Sequence, residues 1–440
     1  MFRKILIANR GEVACRVIRA TKKMGIQNAL VFSEPDASLQ YIQDADDARC
    51  IGGPRSYLDA TAILNAAREM GCSAIHPGWG FLSENPTFAA RCEALGITFV
   101  GPRPLSMRQM SDKAMARSTM RKLGLPPIPG VDRSLYSVND AKEAAKIVGY
   151  PLLLKAVAGG GGRGMRKVFS PDKLEEAFVQ ASAEARSAFG NGAMYMERLI
   201  VGGRHIEFQV LCDGKNAIIL GERECSIQRR HQKLLEETPS PAVSNEQRKQ
   251  LSEKIKSVVE SLGYRGAGTM EMLRDRSGEI FFMEMNPRLQ VEHTITEETW
   301  GVDLVEQQFK IAANHPLSLD ASPNGHSIQC RINAERVEEN FKPTPGRIDT
   351  IRWPDIEGVR VDTHLRSGDK ISPFYDSMLA KVICWAEDRP RAIEKMKVAL
   401  RNSVIEGVPS TIDFHLRVLD SDRFQSGDYD TKFIEEELLS

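Results

Sequence analysis

Short apolar runs alternate with segments of helical period through the first hundred positions of this 440-residue chain. KILIAN (4–9) predicts a strand ending in a polar turn. Residues 12–24 follow with Val13, Val17, Ile18 and Thr21 on one helical face, closed by Gly25. NALVFS (28–33) predicts a strand, 58–70 a helix, CSAIHPG (72–78) a strand and loop, 84–95 a helix, and ITFVG (97–101) a strand. Strands separated by helices of this length predict a parallel sheet with helices on both faces. The first strand-to-helix turn, Asn9-Arg10-Gly11-Glu12, has a single glycine where the dinucleotide fingerprint G-x-G-x-x-G has three. The outline is therefore Rossmann-like without the usual dinucleotide site.

Further along, the pattern predicts a helix over 111–123 with Ser111 as N-cap, stopped by Gly124 and Pro126-Pro127. A short helix at 140–148 precedes the strand YPLLLKA (150–156), a glycine loop, the strand RKVF and a helix over 171–189. A β-pair at 204–212 and 216–221, a helix at 246–262, and a hairpin of 268–274 with 279–285 across Asp275-Arg276-Ser277-Gly278 come next. From about 326 the pattern is short strands, then helices at 390–402 and 411–420. Breaks near 103–110 and 320–326 suggest three domains, within the two to four expected at roughly 150 residues each.

Composition narrows the function classes. Lysine plus arginine and aspartate plus glutamate both number 59, so nothing draws the chain as a whole to nucleic acid or to an anionic membrane. No apolar run approaches the ~20 residues that span a bilayer. MFRKILIANRGEV has neither the apolar core of a secretion signal nor the character of a transit peptide. The eight cysteines (Cys15, Cys50, Cys72, Cys92, Cys212, Cys225, Cys330 and Cys384) show no CxxC pair. They read as reduced, mostly buried thiols of a cytoplasmic protein.

Four stretches carry candidate chemistry. AGGGGRGM (158–165) lets backbone N–H groups approach phosphate oxygens closely. A strand follows it, which excludes the dinucleotide motif, and Met165 stands where a Walker lysine belongs. A flexible strand–loop–strand flap with Lys155 just before it remains. In RHIEFQVL (204–211), His205, Glu207 and Gln209 share one strand face, which is also what an ordinary half-exposed strand shows. GERECSIQRRHQKLLEE (221–237) balances basic against acidic residues; a solvated segment and a site for a small anion or ribose through Gln228, His231 and Lys233 both stand. FFMEMNPRLQVEH (281–293) is the most informative, with Glu284, Asn286, Arg288, Gln290 and Glu292 at every second position. In an extended chain these five polar groups line one face. Glu271 on the hairpin partner can join Glu284 and Asn286, a hard-oxygen set suited to Mg²⁺ carrying nucleotide phosphates and unsuited to zinc. His315, His326, His364 and His415 have no partner visible in sequence and read as surface or packing residues. Met396-Lys397 lies in an amphipathic helix, so it does not read as a lipoyl or biotinyl lysine.

Taken together, these stretches resemble the biotin carboxylases, the ATP-grasp component of biotin-dependent carboxylases such as acetyl-CoA carboxylase. The matching strings are KILIANRGE (4–12), IHPGWGFLSEN (75–85), GGGGRGM (159–165), ERECSIQRRHQK (222–233), EMNPRLQVEH (284–293), CRINAE (330–335) and YDSM (375–378). They occur in family order and cover nearly the whole chain. The resemblance implies an α/β and α+β multidomain fold: a Rossmann-like N-terminal domain (1–110), a central ATP-grasp domain (111–322) and a C-terminal biotin-carboxylase domain (323–440). A mobile glycine-loop lid of the ATP-grasp domain would span about 127–200.

The resemblance also implies roles. Lys113 and Lys155 match phosphate-binding lysines, with Gly161, Gly162 and Met165 in the flap. Glu197, Arg198, Leu199 and Ile200 match the hinge that reads adenine through the backbone, and His205, Gln228, His231 and Leu273 match nucleotide contacts. Glu271, Glu284 and Asn286 match the ligands of Mg²⁺ or Mn²⁺. Lys233, Arg288, Gln290, Val291 and Glu292 match a bicarbonate pocket, and Arg331 faces the ureido group of biotin. Arg288, Glu292, Lys233 and Arg331 would be the catalytic set. The implied reaction is ATP-dependent carboxylation of carrier-borne biotin through carboxyphosphate, a ligation forming a C–N bond.

The chain departs from the family pattern at Trp79 (often Tyr), at Val157-Ala158 (Ser-Gly), at Arg198 (Lys) and at Pro287 (Thr). None of these removes a group the chemistry requires. No biotinyl-lysine hairpin or carboxyltransferase is present, so a separate biotin carboxyl carrier protein and a carboxyltransferase subunit are the expected partners, together with a homodimeric state. The acyl acceptor is expected to be acetyl-CoA, with pyruvate, propionyl-CoA and methylcrotonyl-CoA types as alternatives. A different ATP-grasp carboxylate ligase and a non-catalytic ATP-binding subunit are the competing classes.

Overall fold

The computed structural model of the protein describes residues 1–111, 113–157 and 164–438; the side chains of Ser111, Lys113 and Ala114 are also outside the described set. The N-terminal part is a five-stranded parallel sheet ordered Asp47–Cys50, Gln27–Phe32, Lys4–Ile7, Ala74–His76, Thr98–Phe99. Its central strand is buried on both faces, which is why KILI reads as an uninterrupted apolar run. Ile5 and Ile7 pack with Val13 and Val17 of the helix Gly11–Lys23, while Leu6 packs on the other face with Ile63, Leu64 and Phe88. The two-faced sheet is as the pattern predicts. The exposed edge strand Asp47–Cys50 carries no apolar face and left no signal.

Polar loops leave this sheet toward the rest of the molecule and are held by buried bonds. The Asn9 amide donates to the carbonyls of Pro77 and Trp79, at 2.6 and 2.8 Å. Gly78 sits at φ +62°, and a Cβ there would meet Asn9 Nδ2 at 2.7 Å, so only glycine closes this turn.

Two helices, Pro104–Ser111 and Lys113–Lys122, lead into the central part. Ser111 is therefore the last residue of the earlier helix, not the start of the helix predicted over 111–123, a correction to the pattern reading. Pro104, with φ preset for a first helical position, opens the earlier helix instead. A three-stranded antiparallel sheet follows, ordered Met165–Val168, Leu152–Ala156, Met194–Arg198, and packs with the helices Val138–Val148 and Leu174–Phe189.

The main scaffold is an eight-stranded antiparallel sheet. Its order is Ile280–Asn286, Arg265–Arg274, Arg204–Asp213, Ala217–Arg229, Gln232–Thr238, His326–Asn333, Met378–Ala386, Val359–Thr363. It runs without a break across position 323, because Gln232–Thr238 pairs with His326–Asn333 (Leu235 opposite Cys330, Glu236 opposite Gln329). Residues far apart in sequence thus share one sheet face. The helices Arg389–Arg401 and Ile412–Asp420 form at the positions the pattern predicts. Lys397 is ion-paired with Glu394 and Asp420, each at 2.9 Å, in keeping with a structural lysine. Among the described residues no helix is long and apolar enough to cross a membrane.

Candidate active site

The site grows from the strand Arg204–Asp213, third in the large sheet. Register places Glu207 opposite Glu271 on one side and opposite Arg223 on the other, and Glu271 opposite Glu284. Directly opposed residues on one sheet face lie about 5 Å apart, so three acids and an arginine form a row across four strands. The polar face of RHIEFQVL is fully buried, with Glu207 and Gln209 both 0% exposed, which overturns the half-exposed strand. Arg223, also 0% exposed, donates to Glu207 at 2.6 Å, Gln209 at 2.7 Å and Thr296 at 2.9 Å.

Lys233 enters this row from the neighbouring hairpin strand. Its ammonium donates to Glu207 at 2.5 Å, Glu292 at 2.6 Å and Glu271 at 3.1 Å. Burial alone disfavours the ammonium, but these three carboxylates hold its pKa well above the ordinary lysine value. Glu292 is 0% exposed, and its second oxygen accepts from Arg331 at 2.8 Å. Burial pushes the Glu292 carboxyl up, yet Lys233, Arg331 and Arg223 outweigh it and keep the group ionised. Arg331 also donates to the buried Glu236 at 2.7 Å. His415 and Thr411 fix the carbonyl of Arg331, at 2.8 and 3.3 Å, so His415 braces the site from behind.

The polar ladder of 284–292 is extended only in part. The strand ends at Asn286, and a helix starts at His293. Pro287 has no N–H to continue the ladder, so the chain turns. Arg288 and Gln290 still converge: the Arg288 guanidinium donates to Gln290 Oε1 at 2.8 Å and Asn286 Oδ1 at 3.3 Å. The Gln290 amide donates to Glu271 at 3.4 Å, and Glu84 of the N-terminal part approaches Arg288 to 3.4 Å.

The residues that could hold a cation fit Mg²⁺ by donor chemistry, with carboxylates and an amide oxygen from Glu271, Glu284 and Asn286. Clusters of ligand atoms also form from His205, Glu207 and Glu271 and from Glu207, Cys225 and Glu292. The Lys233 ammonium already lies against Glu207, Glu271 and Glu292, and the second oxygen of Glu271 faces His205 Nε2 at 3.4 Å. Burial pushes the Cys225 thiol far above its ordinary pKa, so it stays a protonated packing group.

Of the residues that the resemblance assigns to the nucleotide, Lys155, Met165, Glu197 and Arg198 lie on the three-stranded sheet, and His205, Gln228 and Leu273 lie on the eight-stranded one. Lys155 pairs with Glu197, and Glu197 accepts from Arg117 at 3.1 Å. Met165 lies opposite Lys155 in register, and Leu273 lies opposite His205. His205 Nε2 stands 3.4 Å from Glu271. The amides of Arg198 and Leu199 donate to Pro129 and Pro151 carbonyls at 2.7 and 2.9 Å. Gln228 is half-buried near the end of its strand, and His231 is exposed in the turn, where Arg230 and His231 both have positive φ (49° and 66°). Gly161 and Gly162 lie outside the described residues, as does the side chain of Lys113 at the start of its helix.

Three family models match the chain: the biotin carboxylase N-terminal domain over residues 1–107, the carbamoyl-phosphate synthase L chain ATP-binding domain over 112–320, and the biotin carboxylase C-terminal domain over 329–436. A biotin carboxylase of Nostoc sp. is 48% identical, with 99% of both chains covered. The chain belongs to the biotin carboxylase family. Among solved structures, the biotin carboxylase–β,γ-ATP complex from Campylobacter jejuni matches with TM-score 0.97 at 45% identity, covering 99% of each chain. The biotin carboxylase domain dimer of Hydrogenobacter thermophilus 2-oxoglutarate carboxylase, in complex with MgADP, ADP and bicarbonate, matches with TM-score 0.96 at 44% identity, covering 99% of this chain and 98% of that one. The chain is accordingly an ATP-dependent ligase that carboxylates biotin.

Four buried charged residues of this cluster are not among the site residues expected from sequence: Glu207, bonded to Lys233; Glu236, bonded to Arg331; Arg117, bonded to Glu197; and Arg223, bonded to Glu207. Glu207 is visible as part of a polar strand face. Arg223 and Glu236 fall within the singled-out stretch 221–237 without being distinguished from its other charges, and Arg117 has no sequence signal beyond its charge. His326 does have a partner: its Nε2 lies 2.7 Å from buried Glu237, 89 positions earlier in the chain.

Proposed function

We propose that Glu292 is the base that removes the proton of bicarbonate, and that Lys233, Arg288, Gln290 and Val291 hold that anion beside it. The observation that carries this reading is the placement of Glu292, buried between Lys233 at 2.6 Å and Arg331 at 2.8 Å. With both cations on it, the carboxylate is a weak base. An incoming bicarbonate recruits Lys233 and Arg288 to itself, and Glu292 gains basicity as it loses a counter-charge.

The resulting carbonate oxygen attacks the γ-phosphorus of ATP, and ADP leaves. Lys113, Lys155, Gly161 and Gly162 offset phosphate charge, with His205, Gln228, His231, Met165 and Leu273 around the nucleotide. Since the Arg198 and Leu199 amides are already engaged, the backbone of Glu197 to Ile200 would read adenine through its remaining groups, the Ile200 amide among them. Mg²⁺, held by Glu271, Glu284 and Asn286, supplies charge neutralisation at the phosphates. Carboxyphosphate breaks down to CO₂ and phosphate, the phosphate takes the N1 proton of biotin, and N1 attacks CO₂. Arg331 stabilises the enolate-like ureido oxygen.

Glu292→Gln tests the base assignment. Carboxybiotin formation should fall by about 10²–10⁴, with binding of a non-hydrolysable ATP analogue retained; unchanged turnover would sink the assignment.

The reading extends to organisation. It divides the chain at about 110 and 322, with a lid over about 127–200. It takes biotin from a carrier protein, passes carboxybiotin to a carboxyltransferase, assembles as a homodimer and works in the cytoplasm, a setting supported by eight free cysteines. Acetyl-CoA is the first acceptor to test, with pyruvate, 2-oxoacids and other acyl-CoAs as alternatives that a choice of carboxyltransferase would separate.

A further inference from the structure

Behind the reacting groups lies a second buried charge cluster that the mechanism above does not use. Lys381, in the strand Met378–Ala386, is 0% exposed. It lies directly opposite Arg331 on one neighbouring strand and opposite Asp362 on the other. Its ammonium donates to the backbone carbonyl of Val291 at 3.0 Å. The same group is 3.0 Å from a carboxylate oxygen of Glu12 and 3.8 Å from Asp362, and it stands over the ring of Trp79 at 5.3 Å.

This is an expensive arrangement. A lysine taken fully out of water needs compensation, and a mixed set of two acids, a carbonyl and an aromatic face supplies it. The two acids and the carbonyl come from different parts of the chain. Glu12 opens the first helix of the N-terminal sheet, Asp362 lies in the last strand of the large sheet, and Val291 lies in the loop before Glu292. The carboxylate oxygens of Glu12 have no hydrogen bond other than this ion pair.

The carbonyl that Lys381 grips belongs to the peptide joining Val291 to Glu292. The carbonyl one residue earlier, Gln290 O, is held by His293 Nδ1 at 2.8 Å. Burial keeps His293 neutral. Two buried side chains thus fix the two peptide units that precede Glu292. The loop from Pro287 to Glu292 is neither strand nor helix; the backbone bonds at its end, His293 N–H to Gln290 O at 3.3 Å and Ile295 N–H to Glu292 O at 3.4 Å, flank the Val291 carbonyl that Lys381 holds.

We propose that Lys381, with Glu12 as its counter-charge, is a positioning residue that clamps the Val291–Glu292 peptide and so sets the geometry of the bicarbonate pocket. The inference rests on the bicarbonate-pocket reading of Arg288 to Glu292. It assigns to the YDSM-to-strand segment and to the NRGE turn a common task. Both hold the reacting loop from outside the ATP-grasp part.

Lys381→Met removes the clamp but leaves Glu12 buried without its partner. The double variant Glu12→Gln/Lys381→Met removes both charges and keeps the volume, so it is the decisive protein. The measurement is steady-state carboxylation of free biotin by the full chain with bicarbonate varied, alongside the Kd of a non-hydrolysable ATP analogue and the melting temperature. Loss of the clamp should lower kcat/KM for bicarbonate by about a hundredfold, the scale of an ångström-level misplacement. The Kd for the analogue should stay within about threefold, and the double variant should recover the melting temperature without recovering kcat/KM.

If the double variant regains both, or if bicarbonate kinetics stay within about threefold of the parent in either variant, Lys381 is only a structural ion pair and the inference is overturned. Should the parent protein itself show no bicarbonate-dependent carboxylation, the pocket reading fails first and the inference falls with it. The parent control therefore separates the two failures. Should Lys381→Met not fold, the double variant alone decides.

Discussion

Lys233 and Glu292 stand 2.6 Å apart in a place where neither meets water freely, and each has a second opposite charge within 3 Å: Glu207 for the lysine at 2.5 Å and Arg331 for the glutamate at 2.8 Å. The pair is one link of a buried chain of alternating charge that runs Arg223, Glu207, Lys233, Glu292, Arg331, Glu236. Each member is satisfied only while its neighbours are present. That gives the site a fixed geometry and a reserve of charge that a substrate anion can redistribute.

Arg223 is the buried end of that chain. Replacing it with methionine strips Glu207, Gln209, Thr269 and Thr296 of a donor at a position 0% exposed. Breaking one partner of a buried pair costs about 3–5 kcal/mol. Urea unfolding of Arg223→Met should show a loss of that size; a change below about 1 kcal/mol would contradict the buried chain as a stabilising unit.

Arg331 should separate the two chemical steps. On the proposed assignment, Arg331→Met takes the guanidinium from the biotin side and leaves Lys233, Arg288 and the proposed metal ligands for phosphoryl transfer to bicarbonate. Arg331→Met should cut carboxybiotin formation by about 10² or more and leave a measurable bicarbonate-dependent ATP hydrolysis. Equal loss of both activities would place Arg331 in the first step as well.

The carboxylate set should be visible in the metal requirement. Loss of an outer-shell partner alone weakens metal sites roughly 10–100-fold. Glu284→Gln and Asn286→Ala should each raise the Mg²⁺ concentration for half-maximal activity by at least the lower figure. An unchanged Mg²⁺ titration in both would move the metal elsewhere along the acid row.

Much of the fold and of the site is legible in the sequence. The alternating apolar runs of 4–33 and 72–101 foretell the parallel sheet because its strands are buried on both faces. The strings around Gln228, Lys233, Glu284 and Glu292 carry the family. Other features are not legible, for physical reasons. The alternation from Glu284 to Glu292 looks like a continuous strand because its period is two, but Pro287 ends the ladder and Arg288 and Gln290 meet through a turn. Arg223 and Glu207 face each other only after a register shift between Ile219 and Glu222. The pairing of Arg331 with Glu236 needs a sheet that crosses from one part of the chain to another, and no local pattern announces that. His326 cannot be paired with Glu237 from sequence for the same reason.

Acid stability should report a different buried group. Glu237 is fully buried; burial raises its carboxyl, but His326 and Arg389 prevail and bring its pKa down to about 2. A depressed carboxyl pKa contributes stability that is full above the unfolded value, near 4.5, and is lost as pH falls toward about 2. The shift corresponds to roughly 3 kcal/mol. Glu237→Gln should be less stable than the parent at pH 6 and should lose less further stability between pH 4.5 and 2. A parent and variant with parallel acid limbs would contradict the pairing.

The central claim is that the buried pair Lys233–Glu292 lies at the heart of a site that joins bicarbonate to biotin at the expense of ATP. Fixation of labelled bicarbonate with ATP, Mg²⁺ and a high concentration of free biotin, omitting one component at a time, tests it most directly. Label in carboxybiotin that requires every component, and that Glu292→Gln abolishes, is the predicted result. ATP hydrolysis that proceeds without dependence on bicarbonate or biotin, or label fixed equally well by Glu292→Gln, would contradict it.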